Sequence, residues 1–530
     1  MDGDRGRGEK LTAEETSDRE DEGGAAQGSQ GSNAAEDEDR SAMRPAQWAG
    51  MFGGAAVFFI ILLLIPAPEG VPDAAWRTAA VAALMAIWWM TEAIPIPATS
   101  LVPLVLFPAL GILEMSDAAA PYANELIFLF MGGFFIAFAL ERWELHRRIA
   151  LAIVAAVGTG PRTLILGFML ATAFLSMWIS NTAATAMMLP IGLALGEMFR
   201  PEGQAGSRQP YRFGIALMLG TAYAANIGGS MTLIGTPPNA VMAGAANEML
   251  DIQVGFGQWM LVGIPTAAIM LPLTWLLLVQ VLHPPGELSG NAAALLAEER
   301  QTLGPMSQGE KTVAVVFSLT AFAWIFRTEK PLNGLTIPGI ETFAPYVTDG
   351  TIAIAGALVL FLLPVDRKRG VFALDWKTAR RIPWGVLILF GGGLSLARAM
   401  DQSGLAEWIG GAVAAMGVVP AVLVIAGAAA LFIFLTEITS NTATATMAMP
   451  IMAGVAVGIG FAPLTLMITA ALSAAMAFML PVATPPNAIV FGSGYLTIPQ
   501  MVKAGVWMNL LAVGVVTLMV SLVVPLVFGS

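Results

Sequence analysis

Two apolar stretches, 163–198 and 419–460, are each interrupted near the middle by small polar residues. The first carries Trp178-Ile179-Ser180-Asn181-Thr182 and the second Thr439-Ser440-Asn441-Thr442. A straight helix of either length would overshoot the ~30 Å hydrocarbon core of a bilayer at about 1.5 Å per residue. Two full crossings joined by a loop would barely fit, and would place the polar run at a surface. The remaining arrangement is a re-entrant hairpin with its tip at depth, where non-helical backbone survives only if protein buries it or it lines a cavity. Hairpins are therefore expected at 163–198 and 419–460.

Composition agrees with a bilayer setting. Of 530 residues, 56% are hydrophobic and 12% charged, which is about half the charge a soluble surface carries. Stretches long enough to cross the hydrocarbon core lie near 48–65, 75–94, 98–113, 124–140, 212–233, 256–282, 312–327, 350–364, 382–399, 463–482 and 502–528. The expected fold class is an all-α polytopic membrane protein with about eleven transmembrane helices plus the two hairpins. The chain has no cysteine and only two histidines, His146 and His283, which argues against thiol chemistry, a Ser-His dyad and a His-ligated metal. A soluble enzyme and a nucleic-acid binder are excluded. An intramembrane enzyme lacks its signatures, since neither His-Glu-x-x-His nor a nucleophile–base pair occurs.

The net charge of −11 is unevenly placed: residues 1–45 hold 13 Asp/Glu against 6 Lys/Arg. With almost no large apolar side chain, that stretch cannot bury enough surface to offset ordering entropy, and a disordered acidic tail is expected. Basic residues cluster in loops at Arg142, Arg147, Arg148 and Arg162, at Arg200, Arg208 and Arg212, and from Arg367 to Arg381. These fall on one side if the N-terminus is cytoplasmic, which places the C-terminus outside in a multi-pass cell (inner or plasma) membrane protein. The run at 367–381 could bind anionic membrane lipid, but ordinary topology signalling explains it.

A repeat runs through the chain. Ser180 to Ile191 (SNTAATAMMLPI) recurs 260 residues later as Ser440 to Ile451 (SNTATATMAMPI), identical at 7 of 12 positions, and the same offset pairs Gly132-Gly133 with Gly392-Gly393. Gly235-Thr236-Pro237-Pro238-Asn239-Ala240 is likewise matched by Ala483-Thr484-Pro485-Pro486-Asn487-Ala488. A lone Ser-Asn-Thr is ordinarily a helix cap or turn, but four matched breaks in one order are not. Five crossings separate the hairpins, so the copies are expected to be inverted and to meet near the midplane, as in secondary transporters. The expected organisation is a tail at 1–45, a first transmembrane helix at 46–70, repeat one at 71–285 with hairpin 163–198, a cytoplasmic linker at 286–311, and repeat two at 312–530 with hairpin 419–460.

The breaks carry a distinctive chemistry. Each proline pair prevents a continuous helix, freeing carbonyls near Gly235 and Ala483, while Ser180, Asn181, Ser440 and Asn441 add neutral oxygens. Hard cations take oxygen ligands, and a neutral set suits a weakly held monovalent ion such as sodium. Helices beginning after each break point N–H groups and positive dipole ends at the same place, which favours an anion. No Arg or Lys occurs in the four motifs, so bound cations would have to neutralise that anion. Proton coupling would rest chiefly on Glu125 and Glu437. Glu437, matched by Met177 in the other copy, reads better as a hydrogen-bonded brace. The 30 methionines are read as packing fill, and Gly391-Gly392-Gly393 as a close helix contact rather than a phosphate loop.

These motifs resemble those of the divalent anion/sodium symporter family, the INDY-type di- and tricarboxylate transporters, from about residue 48 to the end. The resemblance implies sodium-coupled symport of dicarboxylates of the succinate, malate and fumarate class, a homodimer, and scaffold and transport domains moving by an elevator mechanism. It implies two Na+ sites, one formed by Ser176, Ser180, Asn181 and Gly235 and the other by Thr436, Thr439, Asn441 and Ala483. Substrate carboxylates would meet Asn181, Thr182, Thr236, Asn441, Thr442, Thr484 and Pro485. Intact Ser-Asn-Thr copies fit di- or tricarboxylates better than sulfate. The alternatives are a sodium-independent dicarboxylate exchanger, a citrate or sulfate transporter of the same family, and, from another class, an anion channel.

Overall fold

Apolar sequence with few strand signals builds a mostly helical protein. The computed structural model describes residues 43–200, 211–286, 292–332, 335–414 and 420–529. The strands among them form two short antiparallel hairpins, Lys330–Leu332 with Leu335–Ile337 and Pro364–Asp366 with Val371–Phe372. The expected disordered tail at 1–45 lies, up to residue 42, outside the described residues.

The first half comprises α1 (Pro45–Phe59), continued by a π turn to Leu64, α2 (Asp73–Thr91), α3 (Val102–Ala109), α4 (Glu125–Arg142), α5 (Leu145–Val157), α6 (Pro161–Ser176), α7 (Asn181–Met198), α8 (Arg212–Gly229), α9 (Pro237–Leu250) and α10 (Phe256–Leu276). After α11 (Ala292–Thr302), the second half comprises α12 (Gln308–Ile325), α13 (Asp349–Leu362), α14 (Trp384–Gln402), α15 (Leu405–Ala414), α16 (Ala421–Leu435), α17 (Asn441–Gly458), α18 (Pro463–Ala474), α19 (Pro485–Phe491) and α20 (Ile498–Phe528).

Both polar interruptions are breaks between two helices, α6/α7 and α16/α17. Three expected spans differ. The stretch 98–113 is broken at Ser100–Leu101 into Ile96–Thr99 and α3, where Pro97 and Pro103 withdraw N–H donors from the helical ladder. The spans 212–233 and 463–482 end early, at Gly229 and Ala474, because the backbone unwinds before each Thr-Pro-Pro-Asn rather than at it. By length and composition, four helical runs among the described residues can cross a membrane: Pro45–Leu64, Met115–Arg142, Phe256–Leu282 and Ile498–Phe528. Shorter apolar helices include α6, α13, α16 and α18. The segment 286–311, expected as a cytoplasmic linker, contains α11, whose Glu299 accepts from Arg147 of α5 at 2.6 Å.

Packing repeats between the halves. The arms α6 and α7 pack on α8 as α16 and α17 pack on α18, and the second arms cross over, α7 onto α19 and α17 onto α9. One large core runs through α4 to α14 and α16 to α20. A smaller one joins Phe58, Trp89 and Phe107 to Leu389, Leu396 and Met400. Outward apolar side chains such as Val315, Leu319 and Phe322 of α12 and Leu510, Leu518 and Leu522 of α20 are exposed, as in a protein whose solvent is lipid.

Gly391-Gly392-Gly393 is a close contact, as expected. A Cβ on Gly392 would collide with the backbone of Ser100, at the break before α3, and one on Gly393 with the methyl of Thr446. Gly392→Val is expected to force α14 away from Ser100 and to lower stability by about 1–3 kcal/mol, read as a drop of several degrees in the melting temperature of detergent-purified protein. An unchanged melting temperature would contradict this contact.

Candidate functional site

The first break lies between Ser176 and Asn181. Ser176 is fully buried, and its hydroxyl oxygen stands 2.7 Å from Asn181 Oδ1 and 2.7 Å from the carbonyl oxygen of Ala225. The second break repeats this arrangement: Thr436 Oγ1 stands 2.6 Å from Asn441 Oδ1 and 3.0 Å from the carbonyl oxygen of Ala474. A hydroxyl has one proton to donate. At each break, with the amides oriented as in the structure, three neutral oxygens converge on a single proton. Such a surplus of lone pairs is what a small hard cation relieves.

The unwound segments before each proline pair are also tied alike. Asn239 Nδ2 donates to the carbonyls of Gly229 and Thr232 at 3.0 and 2.7 Å. Asn487 Nδ2 donates to those of Ala477 and Leu480 at 3.3 and 3.0 Å. Each asparagine pins the loop that precedes its own helix. The loops are then secured differently. Thr232 donates to the carbonyl of Met177 and accepts from Gly235 N. In the second half the Glu437 carboxylate accepts from the N–H groups of Phe478, Met479 and Leu480 at 2.7–3.2 Å, and from Asn509 Nδ2 at 2.9 Å. Glu437 is 3% exposed, and its charge is held by donors rather than by a cation. The brace reading of Glu437 agrees with this geometry.

The other candidate residues fall around these breaks. Ser180 caps α7, accepting from Ala183 N at 3.2 Å, and Ser440 occupies the matching cap of α17 without a side-chain bond. Thr439 is engaged locally, with Leu435 O at 2.8 Å and Thr444 Oγ1 at 2.6 Å. Thr236 and Thr484 are buried caps of α9 and α19, and Thr484 Oγ1 accepts from Asn487 N at 3.3 Å. Gly235 and Ala483 are buried, Thr182 and Pro485 are exposed, and Thr442 lies between, its carbonyl accepting from Thr446. Asn181 needs its neighbour to be glycine, because a Cβ on Gly229 would strike its amide.

Sequence reasoning missed Asn226, Asn509 and the acceptor carbonyls of Ala225 and Ala474. A lone asparagine inside an apolar helix was the available signal for the first two; the carbonyls have none. Among the described residues no group of three or more His, Cys, Asp or Glu side chains could hold a metal ion, so a cation here would depend on neutral oxygens.

Comparison with known proteins decides the family. The family described as "Sodium:sulfate symporter transmembrane region" matches residues 46–529. The chain belongs to this family, the divalent anion/sodium symporters. Curated relatives include the sodium-dependent dicarboxylate transporter SdcS of Staphylococcus saprophyticus, 44% identical over 490 residues, covering 91% of this chain and 92% of that protein. The SdcS of Staphylococcus aureus strain USA300 is 42% identical over the same shares. Among solved structures, the Alcanivorax borkumensis YdaH transporter superposes with a TM-score of 0.58 at 15% identity, covering 84% of this chain and 98% of that one. Neisseria gonorrhoeae MtrF gives a TM-score of 0.54 at 11% identity, covering 88% and 96%. These two likenesses concern the fold alone.

In this symporter-family chain the Glu437 brace yields a test. The chain lacks native cysteine, so Leu480→Cys reports alone. Glu437→Met, which copies the Met177 of the first half, is expected to raise the labelling rate at position 480 roughly tenfold or more, since bonds to a charged acceptor are worth about 1.5–3 kcal/mol each. Glu437→Gln, which keeps one acceptor oxygen, should raise it less. Equal rates in all three backgrounds would show that the carboxylate does not hold the segment.

Proposed function

We propose that the chain is a secondary active transporter that symports sodium and a dicarboxylate of the succinate, malate or fumarate class. The observation that carries this reading is the duplicated oxygen cluster. Ser176, Asn181 and Ala225 on one side, and Thr436, Asn441 and Ala474 on the other, each supply three converging neutral oxygens with one proton among them. The residues fit sodium, and the segments 176–182, 229–239, 436–442 and 477–487 contain no Lys or Arg. A dianion beside them meets only helix N-termini and neutral donors, which leaves bound cations to balance its charge. Relatives named sodium-dependent dicarboxylate transporters at 42–44% identity support the same substrate class.

In this reading the two halves are inverted repeats, the paired helices α6/α7 and α16/α17 are re-entrant hairpins, and the first and last described helices belong to about eleven crossings with the N-terminus cytoplasmic and the C-terminus outside. Two sodium sites lie at Ser176, Ser180, Asn181 and Gly235 and at Thr436, Thr439, Asn441 and Ala483. Asn181, Thr182, Thr236, Asn441, Thr442, Thr484 and Pro485 receive the substrate carboxylates. A homodimer whose transport domains move as elevators completes the proposal. The crossover packing of α7 on α19 and α17 on α9 supports a site shared by both halves.

Proteoliposomes with an imposed sodium gradient test this directly. Replacing sodium by choline should abolish concentrative succinate uptake, whereas accumulation undiminished without sodium, under a proton gradient, would contradict the reading. A sodium-free anion current would favour the channel. Asn181→Ala and Asn441→Ala should each weaken transport affinity roughly tenfold to over a hundredfold, because each removes a hydrogen bond to a charged group. Wild-type kinetics in either folded variant would count against the assignment.

A further inference from the structure

Adjacent residues of α8 face the two breaks. Ala225 offers its carbonyl to Ser176 Oγ, in the oxygen cluster of the first break, at 2.7 Å. The next residue, Asn226, reaches into the other half: its Nδ2 donates to the carbonyl of Ala477 at 2.9 Å and to Thr484 Oγ1 at 3.3 Å. The amide orientation is fixed by chemistry, since a carbonyl can only accept and the nitrogen must face Ala477. Asn226 is fully buried. Its surroundings hold it in place: one turn earlier the Tyr223 ring meets Phe478 edge-on, with centroids 5.1 Å apart, and one turn later Gly229 lies against the Asn181 amide.

The bond to Thr484 has a directional effect. Thr484 Oγ1 accepts from Asn226 Nδ2 and from Asn487 N, which occupies both of its lone pairs. Its one proton is then directed away from both donors, available to an incoming acceptor. In the first half no such bond to Thr236 exists among the described residues, and its side chain makes no cap hydrogen bond. With Ala225 matched by Ala474 in the second cluster, the counterpart of Asn226 is Ala475, whose methyl group cannot donate a hydrogen bond across. Among the described residues the bridge is therefore built once, on a helix that also offers its Ala225 carbonyl to the opposite break.

We propose that Asn226 is a positioning residue that couples the two breaks, so that occupancy of the oxygen cluster at Ser176 is transmitted through α8 to the Thr484 hydroxyl and the Ala477–Leu480 segment. The inference rests on the sodium-symport reading. A cation drawing on the Ala225 carbonyl pulls on the peptide unit that leads into Asn226, and the rigid buried end of α8 passes that displacement to the amide. Loss of the amide leaves both clusters in place but independent.

The test is the sodium dependence of succinate uptake by the full chain in proteoliposomes, for wild type, Asn226→Ala and Asn226→Ser. The serine hydroxyl is too short to span both acceptors and leaves a smaller void than alanine. Two linked cation sites give a Hill coefficient above one, up to about two. Both variants should bring it toward one and raise half-saturating sodium roughly two- to tenfold, the worth of one or two neutral hydrogen bonds, while uptake at saturating sodium persists. A merely structural residue would change ligand-free melting and transport rate without changing the Hill coefficient. A wild-type Hill coefficient of one, or variants that keep the wild-type coefficient, would overturn the coupling role and leave symport standing. Loss of the folded state in both variants, read by ligand-free melting, would overturn it in favour of a structural strut. Uptake by wild type that ignores sodium would instead overturn the symport reading itself.

Discussion

Everything at the centre of this protein depends on how broken helices are satisfied in a buried interior. A helix end leaves four donors or four acceptors without partners, and in lipid each one costs several kcal/mol if nothing replaces it. The chain interrupts its helices at 177–180, 230–236, 436–440 and 475–484. Side chains supply what the helices lost: Thr232 and Asn239 in the first half, Glu437, itself held by Asn509, and Asn487 in the second. The motif residues are there because the backbone needs them. The side-chain oxygens of Asn181 and Asn441 are turned instead to the hydroxyls of Ser176 and Thr436.

The two halves solve that problem with different charges. In the first half the loop is held by a neutral hydroxyl, and in the second by a carboxylate that accepts three successive backbone N–H groups. Three donors aimed at one carboxylate give a more rigid anchor than one hydroxyl can, since bonds to a charged acceptor are roughly twice as strong as neutral ones. A pseudo-symmetric scaffold with one stiff and one softer break is a natural basis for sites that share an architecture without sharing an affinity.

Much of this was legible in the sequence. The 260-residue repeat, the proline pairs and the absence of basic residues in the motifs led to paired helix breaks lined by neutral oxygens, and family membership agrees. The early ends of α8 and α18 were not legible, because Phe478, Met479 and Leu480 are as apolar as any helical residues and give no sign that their N–H groups are spent on Glu437. The break at Ser100 was hidden inside an apolar run that the length criterion marked as one span. Helix α5 escaped because a short amphipathic segment does not meet a length criterion set by bilayer thickness. Asn226 could not have been placed at all: its partners stand 251 and 258 residues away, and no local pattern encodes contacts of that range.

The central claim is that neutral oxygen clusters must be filled by cations before a dianion can be held beside them. Binding, separated from transport, tests this most directly: calorimetric titration of succinate into the purified protein in sodium and in choline at equal ionic strength. Measurable affinity is expected in sodium and at least a hundredfold loss in choline, a coupling of about 2.7 kcal/mol that linkage requires sodium binding to show in return. Succinate binding of equal strength in choline would contradict it.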